Sequence, residues 1–133
     1  MRSVDRSLSI LIIDDHRTML RIIRNLLKQI DLNDVDETTD GNEALKKLHQ
    51  TSYDLVISDW NMQPMSGLEL LREIRAQPSL RRLPFIMITA ESGLDRVIAA
   101  KQAGVSSYIV KPFTKATLEE KVQKIMQKLA AAA

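Results

Sequence analysis

Short unbroken apolar runs alternate along this chain with longer stretches in which apolar residues recur every three or four positions. The runs fall at residues 8–13, 53–58, 85–89 and 105–110, each rich in Ile, Val, Leu, Phe or Tyr. Continuous runs of that length suit strands buried on both faces of a parallel sheet. Residues 35–39 form a weaker, more polar candidate, a strand nearer an edge. Met19, Ile22, Ile23, Leu26, Leu27 and Ile30 follow helical spacing, and Leu118, Val122, Ile125, Met126 and Leu129 repeat it. Asp40 is placed to cap a helix through Ala44, Leu45 and Leu48, with Glu43 completing a capping box. Residues 67–76 supply Leu68, Leu71 and Ile74, and Pro78 lies just beyond as a stop signal. Residues 92–103 read as the least anchored helix, resting on Val97 and Ile98, and as the most mobile.

Strand and helix alternate five times, which implies parallel βαβ units with right-handed crossovers. The expected fold is α/β: a flavodoxin-like (βα)5 doubly wound parallel sheet in the order 2-1-3-4-5. The 133 residues make one domain, with a core over about 8–129 and frayed tails at 1–7 and 130–133.

Composition narrows the chemistry. Cysteine is absent, so there is no disulfide framework, thiol nucleophile or cysteine-ligated zinc. Four isolated glycines cannot write a dinucleotide fingerprint or a P-loop. The aliphatic run Ile10 to Ile13 is too short for a signal-peptide core or a membrane span, which makes a cytoplasmic protein without membrane insertion the expectation. The net charge of +2 is too small to argue for DNA. Arg72, Arg75, Arg81 and Arg82 form a local basic group whose plainest reading is solvated helix surface.

In an open α/β sheet, ligands bind beyond the carboxyl ends of the strands. The residues that follow the apolar runs are Asp14 and Asp15, Asp59, Thr89, and Lys111 with Pro112. Taken singly, each has a dull explanation, such as a helix cap, a turn or a solvated charge. Together they are harder to dismiss. Crowded carboxylates repel by about 1 kcal/mol or more per pair even at high effective dielectric. A hard divalent cation such as Mg²⁺ relieves that, and it is characteristically shared between carboxylates and phosphate oxygens. Lys111 and Thr89 then supply a point charge and a hydroxyl for an anion, an apparatus for moving a phosphoryl group onto an aspartate. A glycosidase pair leaves Lys111 and Thr89 without a role. A serine triad needs a well-placed histidine, whereas His16 reads as an exposed helix start and His49 as surface.

With these residues in place the chain resembles the response-regulator receiver family, and within it the chemotaxis regulators. The likeness covers about residues 8–129 and includes Ile13-Asp14-Asp15, Ser58-Asp59-Trp60-Asn61-Met62, Thr89-Ala90-Glu91 and Tyr108-Ile109-Val110-Lys111-Pro112-Phe113-Thr114. It implies a signalling receiver, not an enzyme, that assists its own phosphorylation and dephosphorylation. Asp59 would accept a phosphoryl group from a histidine kinase of the chemotaxis type. Asp15, Asp59 and the backbone carbonyl of Asn61 would hold Mg²⁺, with Asp14 acting through water. Lys111 and Thr89 would contact the phosphoryl oxygens, and Thr89 and Tyr108 would form the switch. The bond before Pro112 would be cis, and Asn61 and Glu91 would favour rapid loss of the phosphoryl group. The implied partners are the kinase, an output protein such as a flagellar motor component and a phosphatase, with the chain itself a monomer.

Two departures bear on recognition. Gln63 stands where the family usually has proline, with Pro64 one residue later, so the loop 62–66 is expected to run differently. Ser66 replaces a commonly acidic residue. Two other readings stay open: a receiver belonging to a larger regulator or hybrid kinase, and an adaptor whose arginine group holds a nucleotide or an acidic peptide.

Overall fold

The structure, a computed structural model, describes residues 8–90 and 92–132. Its elements run β1 (Ile10–Ile13), α1 (Arg17–Gln29), β2 (Val35–Thr38), α2 (Gly41–Gln50), β3 (Leu55–Asp59), α3 (Gly67–Ala76), β4 (Phe85–Thr89), α4 (Leu94–Gln102), β5 (Ser107–Val110) and α5 (Lys115–Ala132). The strands form one parallel sheet in the order β2-β1-β3-β4-β5, as the alternation predicted.

The two-residue period of a strand sorts the core into two layers. Ile10, Ile12, Leu55, Ile57, Ile86, Ile88 and Ile109 face α1 and α5, whose Leu20, Ile23, Leu27, Leu118, Val122 and Ile125 cover them. Leu11, Ile13, Val56, Phe85 and Met87 face the other way, onto Ala44, Leu48, Leu70, Leu71, Ile74 and Ala100 from α2, α3 and α4. Each central strand therefore buries both faces, which is why its sequence reads as an unbroken apolar run rather than an alternating one. β5 differs. In it Ile109 alone is fully buried, and Val110 turns outward, as expected of an edge strand.

Several expectations shift in detail. The buried stripe of α1 is Leu20, Ile23 and Leu27, while Ile22 faces solvent at 43% exposure. Leu20 and Ile22 stand at opposite edges of an apolar arc of about 160°, so periodicity alone leaves open which edge turns inward. At the start of α2 the Asp40 side chain accepts from the Asn42 amide at 2.7 Å, and no reciprocal bond from Glu43 closes a box. The expected fray beginning at Ala130 gives way to helix through Ala132, since alanine is the residue best suited to prolonging one. Residues 1–7 lie outside the described residues. α4 buries Ala100, whereas Leu94 and Ile98 are 73% and 43% exposed. Among the described residues no helix is long and apolar enough to cross a membrane.

Candidate functional site

The carboxyl ends of β1, β3, β4 and β5 lie along one edge of the sheet, and each hands over one of the singled-out residues. Asp14 follows β1 and is buried to 1% exposure. Its amide is tied to the Thr38 carbonyl of β2 at 3.3 Å, and its Oδ1 accepts from the His16 amide at 2.9 Å. Asp59 closes β3 at 4% exposure, and Thr89 closes β4 fully buried. Lys111 comes directly after β5, and its amide donates to the Thr89 carbonyl at 2.7 Å. The peptide between Lys111 and Pro112 is cis, as expected.

Lys111 joins the acids. Its Nζ donates to Asp59 Oδ1 at 2.9 Å and stands 3.6 Å from Asp14 Oδ2. Burial raises the Asp59 carboxyl above its ordinary value; the Lys111 bond opposes this, while Asp14 and Asp15 add to it. For Lys111 burial pulls the ammonium down, but the bond to Asp59 and the charge of Asp14 outweigh that and leave it raised. Asp14 Oδ2 is buried and lacks a hydrogen-bond partner. An unsatisfied buried carboxylate oxygen is costly unless a cation faces it. Asp14, Asp15 and His16 present ligand atoms within 4.8 Å of one another. The two aspartates of that group offer carboxylate oxygens, which suit a hard divalent cation such as Mg²⁺.

The surroundings explain how the site is held. Trp60 donates its amide to the Ile88 carbonyl and accepts from the amides of Met62 and Gly67, which fixes the turn out of β3. Ser66 caps α3 in a full capping box: Glu69 N donates to its Oγ at 3.1 Å, and its own amide donates to Glu69 Oε1 at 2.9 Å. The spacing Ser66-x-x-Glu69 could have announced this, and it gives the serine a structural role in place of the acid it replaces. In the loop 62–66 the peptide between Gln63 and Pro64 is cis. Beside it lies a cleft of about 320 Å³ lined by Asp15, Trp60, Asn61, Met62, Gln63 and Ser66.

Tyr108 stands edge-on to Trp60, with centroids 6.4 Å apart and planes at 80°. The Asn61 side chain is exposed and its Oδ1 accepts from Arg96 at 3.4 Å. Glu91 lies outside the described residues. His16 is indeed an exposed helix start, the N-cap of α1, but its Nδ1 also lies 3.3 Å from Asp14 Oδ1 and 3.1 Å from Asp15 Oδ1. Nothing in the spacing announced that contact beyond adjacency. His49 is exposed, as expected. Arg75 departs from the basic surface group: it is half-buried and donates to the carbonyls of Gly104 at 2.9 Å and Leu83 at 2.6 Å. Burial lowers its guanidinium from the usual value.

Comparison with known proteins agrees with this geometry. Residues 10–123 match the family model of the response regulator receiver domain. The chain is 48% identical over 126 residues to the chemotaxis protein CheY-3 of Vibrio cholerae, covering 95% of this chain and 97% of that one. It is 47% identical over 122 residues to the chemotaxis protein CheY of Pseudomonas aeruginosa, covering 92% and 98%. Among solved structures, Vibrio cholerae CheY4 superposes with a TM-score of 0.84 at 29% identity, over 90% of this chain and 99% of that one. The receiver domain of a sensor histidine kinase from Pseudomonas aeruginosa PAO1, with a magnesium ion in its active-site cleft, gives 0.83 at 29%, over 92% and 99%.

Proposed function

Because this chain belongs to the response regulator receiver family, we propose that it works as a Mg²⁺-dependent chemotaxis switch whose Asp59 carries the phosphoryl group. The observation that supports this most is the contact of the Lys111 ammonium with buried Asp59 at 2.9 Å, beside Asp14 Oδ2, which has the same ammonium at 3.6 Å and no hydrogen bond. Asp15, Asp59 and the Asn61 carbonyl would hold Mg²⁺, and Asp14 would act through water. The cation supplies charge neutralisation for the incoming dianion. An Asp59 oxygen attacks phosphorus in line, and the bond from phosphorus to the donor's histidine nitrogen breaks, its electron pair leaving with the imidazole. Lys111, already in place, gains a phosphoryl oxygen as partner. Thr89 and Tyr108 carry the change outward, from the end of β4 and from the neighbouring strand β5 to the surface formed by α4, β5 and α5.

The near-complete coverage of two chemotaxis proteins at 47–48% identity favours this reading. A receiver of a larger sensor kinase is favoured by more distant likenesses, at 29% and 30% identity. A histidine kinase as donor and an output protein such as a motor component as reader belong to the same reading. The arginine adaptor is weakened because Arg75 is engaged with backbone carbonyls.

Trp60, the sole tryptophan, directly follows Asp59 and reports on both ligands. Its fluorescence is expected to change on adding Mg²⁺ and again on adding a small acyl-phosphate donor. Asp59→Asn should abolish the second change. A donor response of full size in Asp59→Asn would overturn the assignment.

A further inference from the structure

Arg96 occupies the third position of α4, where a positive charge meets the positive end of the helix dipole and gains nothing from its own helix. It is held from outside. Its guanidinium carbon lies 4.7 Å from the centroid of the Trp60 ring, and its Nη1 donates to Asn61 Oδ1 at 3.4 Å. The planar fork therefore makes a cation–π contact and a hydrogen bond at once, to the two residues that directly follow Asp59. Neither contact follows from the spacing of the sequence, and the phosphoryl-transfer chemistry does not call on them.

Resting on the reading that Asp59 carries the phosphoryl group and that Asn61 tunes its loss, we propose that Arg96 is a positioning residue that sets the lifetime of the phosphorylated state. Loss is hydrolysis. A water oxygen attacks phosphorus and the bond from phosphorus to the Asp59 oxygen breaks, its electron pair returning to the carboxylate. The products are the Asp59 carboxylate and dihydrogen phosphate, which keeps both of the water's protons. The attacking water is oriented when a neighbouring acceptor takes a hydrogen bond from it. Asn61 Oδ1 is such an acceptor, exposed and lining the cleft beside the acids. Arg96 engages that oxygen and, by lying on Trp60, holds the amide where it is. The guanidinium thus competes with water for Asn61 and slows hydrolysis, and any displacement of α4 that withdraws Arg96 shortens the signal.

The test loads the parent, Arg96→Ala, Asn61→Ala and the double variant with phosphoryl from a small acyl-phosphate donor in Mg²⁺. The donor is then removed, and bound phosphoryl is followed by intact-protein mass. Asn61→Ala keeps the backbone carbonyl assigned to the metal. Arg96→Ala is expected to lose its phosphoryl group about five-fold faster than the parent, the size expected of one modest polar contact. In the Asn61→Ala background the same substitution should leave the rate unchanged, an outcome that a merely structural role for Arg96 does not produce. Equal or slower loss in Arg96→Ala overturns the proposal. So does an undiminished acceleration when Asn61 is absent, because the route through its side chain is then wrong. A parent that takes up no phosphoryl group overturns the underlying reading of Asp59 and the proposal with it.

Discussion

Replacing Gly67 with alanine is expected to lower the melting temperature by about 10 °C, from a loss of about 3 kcal/mol at the upper end of overpacking costs. Gly67 opens α3, where alanine would ordinarily help a helix. Here a Cβ would lie 2.2 Å from the backbone carbonyl oxygen of Asp59 and 2.9 Å from Met87 Sδ. The thioether can turn aside, but the carbonyl cannot, because it belongs to the last residue of the central strand. Relief therefore has to come from moving α3 or the end of β3, and either movement disturbs Asp59. Close approach, rather than backbone dihedral freedom, is what this position requires. A thermal melt monitored by circular dichroism checks it, and an unchanged midpoint would mean that the contact between α3 and β3 yields easily.

Lys111→Met, in chelator at neutral pH, is expected to lose about 2 kcal/mol. Removing one partner of a buried pair costs about 3–5 kcal/mol, reduced here because the Lys111 side chain keeps some contact with water. The pH dependence has a definite sign. A carboxyl whose folded pKa lies above its unfolded value contributes stability while protonated, and that contribution is lost as pH rises through the folded value. Asp59 is such a group, raised from 3.8 by burial, and Lys111 limits the rise. Without the ammonium the carboxyl climbs further. The deficit of Lys111→Met against the parent should therefore be small below pH 3.8 and open as pH rises through the raised value. Mg²⁺ should narrow it by facing the same acids with another cation. Denaturant melts across that range, with and without Mg²⁺, measure the effect. A deficit independent of pH would show that Lys111 stabilises by packing and not by charge.

Much of this architecture was legible because a doubly buried strand and an amphipathic helix leave different periods in the sequence. Phe85–Thr89 and Gly67–Ala76 fall where the pattern placed them. The phase of α1 was not legible, since Leu20 and Ile22 flank the same apolar arc from opposite sides and only Leu20 is buried. Capping was mixed: Ser66 and Glu69 make the box that Asp40 and Glu43 do not. Both pairs have the required spacing, and only the path of the chain into the helix decides which closes. The acids, Thr89 and Lys111 could be gathered from sequence because the parallel sheet sends all its strand ends to one edge. Arg96, Arg75 and His16 could not. Their partners are set by where helix ends and loops pass, and an arginine reads the same whether it is solvated, holds two carbonyls or lies on an indole.

The most direct measurement is the chemical identity of the modified residue. The parent, incubated with a small acyl-phosphate donor and Mg²⁺, should gain one phosphoryl group by intact mass and none in chelator. Peptide mapping should place it on Asp59, and hydroxylamine should release it, as it does an acyl phosphate and not a serine ester. Ser58 offers the sharpest contrast, being the preceding residue, fully buried, with its Oγ donating to the Asp59 carbonyl at 3.0 Å. A hydroxylamine-resistant group on Ser58, or an adduct that forms equally well in chelator, would contradict Asp59 as the metal-assisted acceptor.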